Sequence, residues 1–101
     1  MPVDDAWTSP HKVVLTVKEK KGDCPFYDEG DKIVFQGSEL LKEESDNLCM
    51  YALSSILPYV SALTRETPSE DWINGKETIQ CPDSNRPIIF EISREKQEAE
   101  Y

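Results

Sequence analysis

Three cysteines stand where the chain changes direction: Cys24 in Asp23-Cys24-Pro25, Cys49 near a helix start, and Cys81 in Cys81-Pro82-Asp83. If their sulfurs converge, they could hold zinc or one corner of an iron–sulfur cluster, leaving a fourth position for water, a substrate, Asp23, Tyr27, Asp28 or Asp83. The same set could do thiol redox or nucleophilic chemistry, with Cys49 reacting and Cys24 or Cys81 as its partner. The rival reading is packing, since free cysteine is among the most buried residue types. Close pairs such as C-x-x-C mark most structural metal sites, whereas here each cysteine comes from its own loop.

Other chemistry has little support. The single histidine, His11, precedes the first strand and reads as a surface residue near the N-terminal arm. Acidic clusters such as Asp28-Glu29-Gly30-Asp31 and Glu43-Glu44 lack the spacing of a calcium loop and read as solvated faces. The chain has no G-x-G-x-x-G, no P-loop and no G-x-S-x-G, so no motif points to nucleotide binding or serine hydrolysis. No signature names a reaction.

The elements that must position the cysteines follow from periodicity. Residues 12–20 alternate, with Val13, Leu15 and Val17 on one face, and residues 32–36 resume the alternation with Ile33 and Phe35. These predict a hairpin with a long, cysteine-bearing loop. Residues 37–45 read as a connection that could hold a turn of helix. Asp46 is the expected N-cap of the main helix, whose stripe is Cys49, Ala52, Leu53, Ile56, Val60 and Leu63. Pro58 removes a donor and crowds the preceding turn, which predicts a kink or two short helices. Residues 65–76 read as a loop packed down by Trp72. Residues 77–81 and 87–94 then form a second hairpin, the latter strand carrying Ile88, Phe90 and Ile92 on one face.

In this order, the connection over residues 37–45 is long enough to climb back past a strand of about 17–20 Å. The helix would then start beside Cys24, and Cys81 would arrive at the same end. Cys49 would fall at about the third helical position, where unpaired N–H groups and the helix dipole favour a thiolate. On the competing path the helix starts at the other end, and Cys24 is left alone.

Length bounds the rest. At 101 residues the chain has room for one domain and one modest core. We divide it into an arm (1–11), an α+β domain (12–94) and a tail (95–101). The fold expected is ββαββ, a mainly antiparallel four-stranded sheet packed on one kinked helix. A net charge of −9 with scattered Lys and Arg argues against nucleic acid and anionic membranes as partners. No apolar run approaches a membrane span, and Met1-Pro2-Val3-Asp4-Asp5 lacks the regions of a signal peptide, which predicts a cytoplasmic protein. Val14, Val34 and Ile89 point away from the core face, so the arm, the tail or a second copy in a homodimer could cover the second side of the sheet.

The pattern resembles an uncharacterised family of short bacterial and archaeal proteins of about ninety residues, the scale of one small domain. The likeness rests on residues 12–17, Cys24-Pro25 with Gly30-Asp31, Leu48-Cys49 with Ala52-Leu53, Leu57-Pro58-Tyr59-Val60 with Ala62-Leu63, and Cys81-Pro82-Asp83 with Pro87-Ile88-Ile89-Phe90. It spans residues 12–94. The family often has a Gly-His pair after its first cysteine and proline after its middle one; this chain has Tyr27-Asp28 and Met50 there. The resemblance therefore carries no histidine ligand to this chain. It implies one domain with a cysteine site and no known activity. The expectation is a small cytoplasmic protein with a three-cysteine metal-binding or thiol-redox site, the alternative being a dimeric interaction or accessory protein whose cysteines only pack.

Overall fold

A computed structural model describes residues 11–37 and 39–96, with side chains as far as Glu95. The arm over residues 1–10, with its Trp7, and residues 97–101 of the tail lie outside the described residues. The strands are β1 (His11–Lys20), β2 (Lys32–Gln36), β3 (Glu39–Leu40), β4 (Thr78–Gln80) and β5 (Ile88–Lys96), with one α-helix, α1 (Met50–Thr64), between β3 and β4. They form one antiparallel sheet in the order β3-β2-β1-β5-β4. The α+β class is as expected, but among the described residues the sheet has five strands where four were expected, and β5 runs two residues into the predicted tail.

The extra strand lies in the connection after β2, where two residues are too few to show alternation. Hydrogen bonds build it and the segment that follows. Leu41 N–H donates to the Val34 carbonyl (2.9 Å), and Asp46 N–H to that of Lys32 (2.7 Å). Val34 N–H in turn donates to Ser45 Oγ (2.9 Å), and Lys32 N–H to Asp46 Oδ2 (2.8 Å). The outer edge of β2 is thus sealed by its own chain, which removes the pairing hazard of an open strand. A 3-10 turn at Lys42–Glu44 sits in this segment, held to β1 by Lys12 Nζ–Glu44 Oε1 at 2.6 Å. Val34, on the second face, is wholly buried where residues 41–45 fold against β2, while Val14 and Ile89 are half-buried.

Because Asp46 serves this edge, it does not cap the helix. Cys49 is the N-cap, with extended φ and ψ of −94° and 130°, so it precedes the helix instead of occupying its third position. The apolar stripe is as the spacing predicts: Ala52, Ile56, Val60 and Leu63 are buried, with Cys49 and Leu53 packed at the margin. Pro58 does not split the helix, which continues unbroken to Thr64. Both Pro58 and Ser54 are exposed, so the carbonyl that Pro58 leaves without a donor meets solvent, while Ile56 and Val60 still pack inward.

Against this stripe the sheet sets Val13, Leu15, Val17, Ile33, Phe35, Ile79, Ile88 and Phe90, each almost fully buried. At about 1.5–3 kcal/mol per large apolar side chain buried, these contacts supply most of the stabilisation. In the loop after α1, Asp71 Oδ1 accepts the N–H of Ile73 (3.0 Å) and caps a 3-10 turn at Trp72–Gly75. Ile73 enters the core, and the anchor expected at Trp72 is absent: that ring is 67% exposed and meets Tyr59 edge-on. The cap turns the neighbouring side chain inward. Among the described residues, no helix is long and apolar enough to cross a membrane.

Candidate functional site: a cavity lined by three cysteines

Three loops meet at one end of the sheet. The loop after β1 is closed at its base by Val17 N–H to the Asp31 carbonyl (2.7 Å) and Gly30 N–H to the Val17 carbonyl (2.9 Å). The β4–β5 loop is clamped beside it, with Lys21 N–H donating to the Pro87 carbonyl (3.0 Å). Gly22 makes this close approach possible. Its φ is +100°, and a Cβ there would stand 3.2 Å from the Asn85 carbonyl oxygen. The third loop arrives because the segment after β3 runs back along β2 to Lys32, the end from which the Cys24 loop springs. Asn47 Nδ2 donates to the Phe26 carbonyl, and the Cys49 N–H donates to Tyr27 Oη at 3.0 Å.

Cys24, Cys49 and Cys81 consequently line one cavity of about 170 Å³, together with Phe26, Tyr51, Asp83 and Arg86. All three are free thiols; Cys24 and Cys49 are half-buried, and Cys81 is 7% exposed. Beside them Tyr27 is 2% exposed, its ring edge-to-face on Phe90 at 5.4 Å. Burial raises the pKa of the Tyr27 hydroxyl; the Cys49 N–H pulls the other way, and charge on any of the three sulfurs would push it further up. Burial also raises the Cys81 thiol, against the Asp83 N–H bond that favours its thiolate, and with charge at Cys49, Asp83 and Cys24 adding to the rise. Cys81 is therefore held as a thiol at neutral pH, while the other two face the opening.

The remaining predicted site residues divide. Asp83 lines the cavity and shapes its turn, Oδ1 accepting the N–H groups of Asn85 (2.9 Å) and Arg86 (3.2 Å). Tyr27 lies in the wall behind the sulfurs. Asp28 faces outward to Lys20 Nζ (3.2 Å), and Asp23 is exposed; neither lines the cavity. His11 opens β1, about 30 Å of strand from the Cys24 loop, and its half-buried ring stands 4.0 Å from Glu66. Among the described residues, no three His, Cys, Asp or Glu side chains are grouped so as to hold a metal ion. The three thiols line one cavity.

Sequence reasoning missed the rim. Phe26 is 51% and Tyr51 63% exposed, and Leu48 and Met50 beside Cys49 are exposed too. The available signal was the outward position of Met50 and Tyr51 relative to the helix stripe. Arg86 had none, being one residue of a polar turn. Comparison with known proteins finds no matching family model, no similar curated protein and no similar solved structure.

Proposed function

We propose that this protein carries out thiol–disulfide exchange at the three-cysteine cavity. The observation supporting this is that thiols 25 and 32 residues apart in sequence line one small cavity, two open to it and one buried. A volume of about 170 Å³ is well below the roughly 300 Å³ where small-molecule sites begin, and suits a single side chain bearing sulfur.

In the forward step, the Cys49 thiolate attacks one sulfur of a substrate disulfide. An S–S bond forms to Cys49, and the other substrate sulfur leaves as a thiolate. The Cys24 thiolate then attacks Cys49 Sγ, closing a Cys24–Cys49 disulfide and releasing the second substrate thiolate. Two electrons pass from the protein to the substrate disulfide, and the protons lost by the two protein thiols are taken up by the departing thiolates or by water. Tyr27 positions Cys49 by accepting its N–H.

Reduced protein treated with an aromatic disulfide, then analysed by mass spectrometry, tests this. One intramolecular bridge between Cys24 and Cys49, with Cys81 unmodified, is expected. Cys24→Ala should stop at a mixed disulfide on Cys49. Three thiols that stay unreactive until the protein unfolds would refute the proposal, and stoichiometric zinc or iron on protein purified without chelator would redirect it to metal binding.

A further inference from the structure

The two edges of the sheet are treated differently. On the β2 side, residues 41–46 occupy the outward backbone groups, as described above. On the other side β4 ends the sheet, with no described strand beyond it. Glu77 accepts the Ile92 N–H (2.9 Å) and Cys81 donates to the Ile88 carbonyl (2.9 Å), so these positions and Ile79 between them bond toward β5. Backbone direction alternates along an antiparallel strand, which leaves the N–H and C=O groups of Thr78 and Gln80 on the open side.

Hollows lie along this edge. The cysteine cavity shares Tyr51 and Asp83 with a depression of about 390 Å³ over Pro82. One helical turn further along α1, Ser54 and Pro58 face Thr78 and Gln80 across a third hollow of about 400 Å³. Pro58 also leaves the Ser54 carbonyl without its helical donor, adding an acceptor on that side. Unpaired strand backbone beside a groove is the chemistry that recognises another extended backbone. One of these hollows holds the thiols.

Resting on the exchange reading above, we propose that the substrate is a cystine sulfur in an extended segment of another protein, which pairs with β4 as a further strand and delivers its sulfur to the cavity. From Thr78 to Cys81 is about 10 Å at 3.3 Å per residue, so a strand of four or five residues ending in the reacting cysteine spans the distance. The chain's charge of −9 steers a basic segment toward it at long range, while the hollows themselves present Lys76, Arg86 and Asp83. The exposed rings of Phe26 and Tyr51 suit apolar side chains flanking the cysteine.

The test uses the full reduced chain and two peptides, each carrying one cysteine as a mixed disulfide with thionitrobenzoate. One continues as alternating Val and Thr with a Lys flank; the other has the same sequence with alternate backbone nitrogens methylated. Release of the coloured thiolate should be at least tenfold faster with the first. Gln80→Pro removes one outward N–H while leaving the bonds of Ile79 and Cys81 to β5 in place, and it should abolish that preference without changing the rate with the free aromatic disulfide. Equal rates for the two peptides, or an unchanged preference in Gln80→Pro, overturn the docking while exchange stands. If neither peptide nor the free disulfide reacts with the native chain, the exchange reading itself fails and this proposal with it.

Discussion

The two ends of α1 handle their polar groups in opposite ways. At its C-terminus Arg94 reaches over from β5, Nε donating to the Leu63 carbonyl (2.7 Å), Nη2 to that of Arg65 (2.9 Å) and Nη1 to Asn74 Oδ1 (2.7 Å). Helix carbonyls that would otherwise lack partners are satisfied by a positive charge in the favourable position for the helix dipole. At the N-terminus no side chain caps the helix; Cys49 stands there with its thiol in a cavity and exposed apolar rings around it. One end is held from within by an arginine, and the other leaves thiols and apolar rings at the opening of a cavity. On the proposed exchange reading, the Arg94 contacts at one end of α1 and the thiols at the other should be separable by mutation.

Arg94→Ala is the sharpest way to break this division. It removes three charge-assisted hydrogen bonds, one to the helix carbonyl of Leu63 and one to that of the C-cap residue Arg65, and should cost about 3 kcal/mol in urea denaturation. The rate of reaction with a small disulfide, measured on the folded fraction, should stay within about twofold of the parent. A rate that falls with the stability would show that the two ends act as one unit.

Gly22→Ala attacks the other end. It places a Cβ in the left-handed region and 3.2 Å from a backbone oxygen, and neither the φ of +100° nor the Asn85 carbonyl can yield cheaply. We expect a loss of about 1–2 kcal/mol from the conformational penalty. Here the exchange rate should fall as well, because a Cβ at this position would push the Cys24 loop off the Cys81 loop, to which Lys21 N–H and the Pro87 carbonyl tie it.

What the sequence revealed follows the same division. Strands and helix face were legible because Val13-Leu15-Val17 and Ile88-Phe90-Ile92 alternate, and because Ala52, Ile56, Val60 and Leu63 keep the helical period into a single core. The return path past β2 was legible only as a length. The bonds that build it, Ser45 and Asp46 to the edge of β2, are long-range and leave no periodic trace, so Asp46 read as a helix cap and β3 was missed. Trp72 misled because size suggested an anchor, while the Asp71 cap decides which neighbour turns inward. At the site the cysteines and Tyr27 were legible by type and Asp83 by its turn. Phe26, Tyr51 and Arg86 matter through exposure and neighbourhood, which a linear pattern does not encode.

Tyr27→Phe isolates one hydrogen bond at the cysteine end. The ring keeps its edge-to-face contact with Phe90, but the Cys49 N–H loses its acceptor in a half-buried place. A cost of about 1–2 kcal/mol is expected from the unsatisfied donor. Exchange at Cys49 should slow while thiol reactivity at Cys24 is kept, read by alkylation of each cysteine in turn. Equal slowing at both cysteines would mean that Tyr27 supports the whole loop and not the helix start.

The smallest effect is the pH dependence, and its sign is fixed by burial. The Cys81 and Tyr27 pKa values are both raised in the folded protein, first of all by desolvation of their charged forms. The folded state thus holds these protons more tightly than the unfolded chain. The contribution to stability is fully present below the ordinary thiol pKa of about 8.5 and is lost as pH rises, first through the thiol range and then past the phenol range near 10. The urea midpoint should accordingly be flat in this respect up to about pH 8 and decline above it. Cys81→Ala should start from a lower midpoint, because a buried sulfur is gone, but show a shallower decline between about pH 8 and 9.5. If the parent and Cys81→Ala decline in parallel, the Cys81 sulfur is open to water in the folded protein, and the contrast between one buried and two accessible thiols is lost.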